Sequence, residues 1–353
     1  MDSTASPKKP TLRTIAGFLL RWLLPVALTV ILVIYMFRKV NFRDMWQIII
    51  HGVDYWWILL AMGISVISHI ARAARWRIQL RALGINPPFM ALCCSIFGTY
   101  ALNLVFPRLG EVWRCSYIAG IEHKPFTTVT GSMVADRISD LITVAILTLF
   151  AFIVATPQIQ AFLTKYPMGQ GIIAAATNPV TWIVIAGIIA ALYSIFHFGG
   201  SYKPVAKTRQ WISEAWKGFA MIARMDGRGR FCLLTLAIWG CYFTQLYVAF
   251  FAFPFTRNLC ADPALAWGLA PCLVTFVLSS IGMAIPSNGG LGPWNIAVMF
   301  GLSLYGVSDP QGTAFSMLQW SGQTVMLIIL GIFTMAYIAL NPSKKYSSNT
   351  PKL

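Results

Sequence analysis

Six charged residues, in two short segments with apolar flanks, are the residues of this sequence best suited to chemistry. They are Arg108, Glu111, Arg114, Asp136, Arg137 and Asp140. Arginine binds phosphate through its planar fork of donors. Carboxylates can orient such arginines, contact a headgroup amine or relay protons. The combination indicates a polar site for a charged headgroup, in which the three arginines hold phosphate.

The first three charges follow a proline inside the apolar segment 89–118, in the motif FPRLGE. Pro107 removes a backbone donor and Gly110 permits unusual dihedrals, so a helix should break at this point. A broken backbone at membrane depth is tolerated only when it is buried in protein or lines a watery cavity. Beyond the break, a spacing of three lets Glu111 pair with the arginine on either side. The alternative is a cytoplasmic loop with snorkelling arginines.

The other three charges lie in DRISD, at the expected start of a helix at residue 136. Asp136 and Asp140 share one face of that helix, and Arg137 can reach Asp140. The apolar run that follows is only about 15 residues long, so these charges are expected to enter the membrane zone. Three cations and three anions would pair with one another, because each unpaired charge costs about 2.5–3.5 kcal/mol on insertion scales. Acidic residues at a helix N-terminus are the alternative.

A second break, AIPSNGGLGPWN, interrupts the apolar segment 264–306 and carries no charge. Gly289, Gly290 and Gly292 let the backbone approach a ligand or another helix closely. Asn288 offers neutral hydrogen bonds, and the amides of a restarting helix could bind an anion. Tight helix packing through small residues is the alternative.

The composition predicts an all-α polytopic membrane protein. Of 353 residues, 57% are hydrophobic and 11% are charged, which is more apolar surface than a soluble protein of this size can bury. The two broken segments are expected to form re-entrant helical hairpins, since each would enter and leave the membrane on one side. Six other runs are long enough to span a bilayer: 15–37, 56–74, 136–155, 178–197, 232–253 and 315–340.

The basic residues, which give a net charge of +16, lie mostly between the apolar runs. There they set orientation and contact anionic lipid, so the charge does not indicate nucleic-acid binding. Their distribution predicts cytoplasmic termini. The arginines of HIARAARWRIQLRALG (69–84) are interpreted as interfacial anchors, with a part in attracting anionic lipid as the alternative. They are Arg72, Arg75 and Arg81.

The order of spans and breaks repeats. Pro107 and Pro286 each lie 29 residues before the start of the next span, at Asp136 and Phe315. This predicts an inverted repeat, as in transporters whose sites form where discontinuous helices meet. The expected organisation is a cytoplasmic tail 1–14, one transmembrane domain 15–340 with pseudo-repeats 15–155 and 178–340 and an amphipathic cytoplasmic linker 201–231, and a cytoplasmic tail 341–353.

The ordered motifs RAARW, NLVFPRLGEVWR, DRISD and IPSNGGLG resemble the transmembrane domain of the lysylphosphatidylglycerol synthase/flippase family, over about residues 15–340. The resemblance implies a lipid-translocating module. Two-domain members carry a soluble aminoacyl-tRNA-dependent transferase domain after the membrane part. This chain has about a dozen residues after its last span, so aminoacylation is not expected. Relatives often have an acidic residue shortly after GGLG, where this chain has Asn295, so another lipid preference is expected.

The sequence therefore predicts an integral membrane flippase or transporter in the plasma (inner) membrane. It would move a phospholipid or lipid-linked headgroup between leaflets through a charged cavity. The alternatives are a membrane enzyme that uses Glu111, Asp136 or Asp140 as acid or base, and a non-catalytic scaffold. No nucleophile–histidine pair, metal-ligand cluster or cofactor loop is recognised, so neither enzyme activity nor a cofactor is expected. The expected partners are the lipid substrate and an anionic lipid surface; a homodimer is left open.

Overall fold

The computed structural model describes residues 42–165, 177–198 and 225–341, with isolated positions in 27–34 and at 174. These ranges are helical and contain no β-strand, which confirms the predicted all-α fold. Most of the predicted span 15–37 and most of the linker 201–231 lie outside the described residues. The helices are α1 Phe42–His51, α2 Tyr55–Ala82, α3 Phe89–Val105, α4 Leu109–Ile121, α5 Phe126–Lys165, α6 Pro179–Phe198, α7 Arg228–Phe250, α8 Pro254–Ala261, α9 Leu269–Gly282, α10 Pro293–Ser303 and α11 Asp309–Leu340.

Five helical segments in the described ranges are long and apolar enough to cross a membrane. They are Tyr55–Ala82, Phe126–Gln158, Arg228–Phe250, Pro263–Gly282 and Asp309–Leu340. Four of them contain or overlap predicted full spans, and the fifth includes the first arm of the second broken segment. Helix α6 coincides with the predicted span 178–197. Together they show a polytopic helical membrane fold.

Helices α2 and α7 form an antiparallel pair with the most extensive helix–helix contact among the described elements. At one end, the amide of Asp54 donates to the carbonyl of Ala252 at 2.9 Å. Towards the other end, Arg75 Nη1 donates to Thr235 Oγ1 at 3.2 Å. Asp54 also caps α2, because its carboxylate accepts from the amide of Trp56 at 3.2 Å.

Two broken hairpins enter this bundle from opposite ends. Helices α3 and α4 begin and end where α2 ends, whereas α9 and α10 begin and end where α2 begins. The first hairpin packs against α2 and α11, and the second packs against α7 and α5. Each hairpin thus contacts the last helix of the other half as well as the last helix of its own half.

Glycines bring the two arms of each hairpin close together. A side chain at Gly110 would collide with the carbonyl of Thr99 on the opposite arm. In the second hairpin, a Cβ at Gly301 would lie 2.8 Å from Thr275 Cα. In both hairpins, glycines therefore allow the backbones of the two arms to pack closely against each other.

Candidate functional site

A cluster of buried charged side chains lies where α2, α4 and α5 meet. Arg75 Nη2 donates to Asp136 Oδ1 and to Asp140 Oδ1, each at 2.7 Å. Arg72 Nη1 donates to Asp140 Oδ2 at 2.8 Å. The five members are at most 9% exposed: Arg72, Arg75, Arg114, Asp136 and Asp140. In such surroundings the ion pairs are strong, but each charge needs a partner to offset its desolvation.

Helix α7 completes the polar surroundings of this cluster. The Tyr242 hydroxyl accepts from Arg72 Nε at 3.2 Å and from Arg72 Nη2 at 3.1 Å. Thr235 accepts from Arg75 in the same way. The hydrogen-bonded ion pairs therefore connect α2, α5 and α7 into one unit.

Arg114 is held less tightly than Arg72 and Arg75. Its Nη2 lies 3.7 Å from Asp136 Oδ2, which is beyond hydrogen-bonding distance. Neither Nη2 nor Nε of Arg114 has a hydrogen-bond partner among the described residues. Its guanidinium instead lies over the ring of Trp76, 4.6 Å from the centroid. Arg114 thus tethers α4 to the cluster by a long ion pair and a cation–π contact.

Glu111 and Arg137 form a second, more accessible ion pair. Arg137 Nη2 donates to Glu111 Oε1 at 2.6 Å, and Asn103 Nδ2 lies 3.4 Å from Glu111 Oε2. The side chain of Arg137 is 44% exposed and that of Glu111 is 17% exposed. The Glu111–Arg137 pair is therefore reachable from outside the protein, whereas the buried cluster is closed.

The first break has a left-handed residue at its centre. Arg108 has φ 65° and ψ 1°, precedes α4, and is exposed. It forms no ion pair with the residues that the structure describes. The side chain of Asn103, on the opposite arm, accepts from the amide of Gly110 at 2.9 Å. Asn103 therefore satisfies one backbone group released by the break, and the guanidinium of Arg108 is left available.

The two breaks touch each other. Asn288 Nδ2 donates to the carbonyl of Val105 at 3.0 Å. Gly289 has φ 58°, and a Cβ there would lie 2.7 Å from Leu104 Cδ2. Trp320 Nε1 on α11 donates to the carbonyl of Gly289 at 2.9 Å. The tips of the two hairpins thus meet beside the charged residues.

The remaining glycines of the second break shape its turn. Gly290 and Gly292 have φ 83° and 91°. The amide of Gly292 donates to Asn295 Oδ1 at 3.1 Å, so Asn295 caps the restarting helix α10 from within. Asn295 is completely buried and also lies 3.7 Å from Met317 Sδ. The position where relatives were expected to carry an acid is therefore occupied by a neutral residue with a local role.

One expected helix start and two expected pairings are corrected by the structure. Helix α5 begins at Phe126, so Asp136 and Asp140 lie well inside a helix and not at its N-terminus. Arg137 bonds Glu111 and not Asp140, because Asp140 faces α2 and is occupied by its arginines. Glu111 accordingly pairs with neither Arg108 nor Arg114.

Sequence reasoning missed Arg72 and Arg75 as members of the cluster. They were expected to anchor α2 at the interface, yet they are 4% and 0% exposed. Arg81 does fit that interpretation, since it is exposed and donates to Asn86 Oδ1 at 3.0 Å. The available signal was a stripe of polar residues at helical spacing on an otherwise apolar helix. Its members are Ser65, His69, Arg72, Arg75 and Gln79, all buried.

A neutral polar network continues along this stripe, away from the ions. Gln323 Oε1 on α11 accepts from Gln245 Nε2 at 2.8 Å and from Ser65 Oγ at 3.2 Å. Between this network and Arg72, the ring of His69 lies 4.5 Å from that of Tyr100. Both ring nitrogens of His69 are buried without a hydrogen-bond partner among the described residues. From Ser65 to Arg75 this polar column is about 15 Å long at 1.5 Å per helical residue.

Residues 22–331 match the family described as the lysylphosphatidylglycerol synthase TM region. The chain belongs to this family. The matched range contains both breaks, the buried cluster and the Glu111–Arg137 pair. Membership in the lysylphosphatidylglycerol synthase TM region family, together with the apolar helices, shows a multi-pass membrane protein that acts on lipids. The curated proteins contain no match to the chain.

Proposed function

We propose that this protein moves a phospholipid or lipid-linked headgroup between the two leaflets of a membrane. The observation that carries the proposal is the contact between the two hairpin tips, Asn288 against Val105, beside an accessible ion pair. Breaks that meet inside a bundle are where inverted-repeat transporters form their sites. Family membership supports the same proposal, since the family points to a protein that acts on lipids.

The surroundings of the Glu111–Arg137 pair suit an amphipathic ligand. Val105, Phe106 and Val112 are 61%, 44% and 51% exposed beside the first break. A headgroup could bind the charged side chains while its acyl chains stay against these apolar ones and the surrounding lipid. We assign Arg108 and Arg137 to the phosphate, and Glu111 is the carboxylate that occupies Arg137 before a ligand binds.

The buried cluster has a different role in this proposal. Arg72 and Arg75 bind both aspartates tightly, so α2 and α5 act as a fixed frame. Helix α4 is joined to that frame through the longer contact of Arg114. The first hairpin is therefore the part that moves, and the left-handed turn at Arg108 is its hinge.

We further propose that the protein lies in the plasma (inner) membrane with both termini in the cytoplasm. The basic segments between apolar runs support this orientation. In that orientation the first hairpin enters from the cytoplasm and the second from the outside. Cysteine labelling of single-cysteine variants at exposed loop positions tests it: labelling of the Lys124 loop from outside would overturn it.

The transport proposal is tested in proteoliposomes with fluorescent lipids and a membrane-impermeant quencher. We expect the purified protein to accelerate exchange of labelled lipid between leaflets. Arg108→Gln and Arg137→Gln should slow this exchange about tenfold each, since each removes a charge-assisted hydrogen bond to phosphate. Arg230→Gln, at an exposed position at the start of α7, is the matched control and should leave the rate unchanged.

No acceleration by the well-folded protein over empty liposomes, with any phospholipid class tested, would overturn transport. Lipid masses are measured in the same vesicles before and after incubation. Transport without chemistry predicts unchanged masses, whereas a new lipid species would show that the site is an enzyme. Unchanged exchange in both arginine variants would remove the residue assignment.

A further inference from the structure

The charges in and around the candidate site do not balance. We define the charged site as the five residues of the buried cluster, the Glu111–Arg137 pair and Arg108. It contains five arginines and three carboxylates, a surplus of two positive charges. The three-to-three balance expected from sequence fails because Arg72 and Arg75 are buried in the same cluster. A surplus of positive charge attracts an anion, and the weakly paired charge is costly where it is buried, at Arg114.

We propose that the headgroup accepted by this site carries at least two negative charges, as a phosphomonoester or a diphosphate does. This substrate class rests on the proposed lipid transport and narrows it. The ligand is an anionic phosphate lipid without a compensating amine.

The contacts show which two cations are left over. Arg72 and Arg75 occupy Asp140 through both of its oxygens, and Arg75 also occupies Asp136 Oδ1. Arg114 reaches only Asp136 Oδ2, at 3.7 Å, and keeps two buried nitrogens without hydrogen bonds. Arg108 is exposed without an ion pair in the described residues. The two surplus charges are therefore those of Arg114 and Arg108, six residues apart across the start of α4.

Glu111 lies midway between these two arginines and is the anion that the protein itself supplies. It is three residues from each of them in the sequence, yet its carboxylate is committed to Arg137. Arg137 lies near Arg114, so the two like charges repel each other. A phosphate that takes over Arg137 would reduce this repulsion and would leave Glu111 free to turn towards Arg114. Glu111 is thus an internal competitor of the ligand.

The same contacts disfavour an amine-bearing headgroup. Each carboxylate of the charged site already accepts a hydrogen bond from an arginine. The one buried carboxylate oxygen without a hydrogen bond, Asp136 Oδ2, lies 3.5 Å from Arg72 Nη1 and 3.7 Å from Arg114 Nη2, so two arginines already surround it. The described residues of the second break, 283–292, supply no acid, and Asn295 is neutral and internally bonded. A zwitterionic or cationic headgroup would therefore add positive charge where positive charge is already in excess.

The test measures lipid binding to the full-length protein in nanodiscs of phosphatidylcholine. Each nanodisc preparation contains a small fraction of one labelled lipid: phosphatidic acid, phosphatidylglycerol or phosphatidylethanolamine. We expect phosphatidic acid to be retained by the protein at least about tenfold over phosphatidylethanolamine, with phosphatidylglycerol between them. Equal retention of the three lipids would overturn the proposal.

Charge variants give opposite signs and so separate the proposal from general damage. Arg108→Gln, at an exposed position, should lower retention of phosphatidic acid about tenfold, and Arg114→Gln should do the same. Glu111→Gln should raise it, because the internal competitor is neutralised. Lower retention in Glu111→Gln would contradict the assignment. Arg114→Lys keeps the charge and should retain more phosphatidic acid than Arg114→Gln, and Arg230→Gln should behave as wild type.

Inorganic phosphate distinguishes a lipid from a free anion. We expect millimolar phosphate to displace phosphatidic acid only weakly, since it lacks the acyl chains that contact the apolar side chains at the break. Displacement at equal concentrations would show that free phosphate is the ligand and would overturn the lipid assignment. If labelled lipids of all classes cross proteoliposomes at equal rates, transport stands and the anionic preference fails. If no lipid crosses, it is transport that fails.

Discussion

The two broken hairpins share an architecture and differ in chemistry. Both interrupt an apolar segment at a proline and glycines, and both pack against the last helix of the other half. The first is surrounded by charges, while the second has none within its break. The contrast continues into the closing helices: α5 supplies Asp136 and Asp140, whereas α11 supplies Gln319 and Gln323 at buried or partly buried positions. A broken hairpin therefore occurs in this protein both with and without charged side chains beside its break.

This difference has an energetic consequence. Ions in the first half must be matched across helices, because a buried unpaired charge is far more costly than an unpaired amide. Removing a buried charged side chain from the first half should therefore lower the stability of the protein more than removing a buried neutral polar side chain from the second half. Four variants test that comparison, from the largest expected effect to the smallest.

Arg75→Ala should have the largest effect on stability. Arg75 bonds Asp136 and Asp140 at 2.7 Å each, and its loss leaves buried carboxylate oxygens without their donor. We expect a loss of about 3–5 kcal/mol, from the cost of breaking a buried ion pair on one side. Denaturant titration in detergent, followed by tryptophan fluorescence, measures it. A loss below that of the glutamine variant described next would refute the comparison.

Gln323→Leu removes the corresponding neutral centre of the second half. Gln323 Oε1 accepts from Gln245 and Ser65, so two polar groups lose a partner. The expected loss is about 1–3 kcal/mol, the cost of leaving buried polar groups unsatisfied. The same titration applies. Replacing Gln245 by Leu in addition should cost less than the sum of the single changes, since the two side chains share one bond.

Gly289→Ala tests the contact between the two tips. The residue has φ 58°, and its new Cβ would press on Leu104 of the first hairpin. We expect a cost of about 1–2 kcal/mol from the left-handed backbone, with a further contribution from the contact. Gly63→Ala is the control, because a Cβ there meets nothing within 4 Å and the residue lies in helix α2. Equal thermal stability of the two variants would argue against close packing of the tips.

Arg137→Gln should have the smallest effect on stability. Its ion pair with Glu111 is half-exposed, and such pairs contribute about 0.2–1 kcal/mol. The large effect is expected on lipid exchange instead. If Arg137→Gln unfolds as readily as Arg75→Ala, Arg137 belongs to the buried cluster in its contribution to stability and not to the accessible site.

Much of the fold could be predicted from the sequence because its signals are local. Pro107 and Pro286 with their following glycines mark both breaks, and the apolar runs match helices such as α6 and α11. The start of α5 could not be placed, because the ten residues before Asp136 contain small and hydroxyl side chains that a helix tolerates. The conformation of Arg108 also had no local signal, since non-glycine residues rarely adopt φ near 65°.

By itself, the sequence determined that this is a helical membrane protein with two interrupted segments and a scarce set of acids. Those properties follow from apolar length, from a missing proline N–H and from residue counts. Only the tertiary structure decided which charges meet: Asp136 bonds Arg75, 61 positions earlier, and Arg137 bonds Glu111, 26 positions earlier. These pairings depend on which helices pack together and on which face of each helix is turned towards the other. The residue pattern within a single segment does not specify either of these. The surplus of positive charge, on which the choice of lipid rests, is a property of the packed helices.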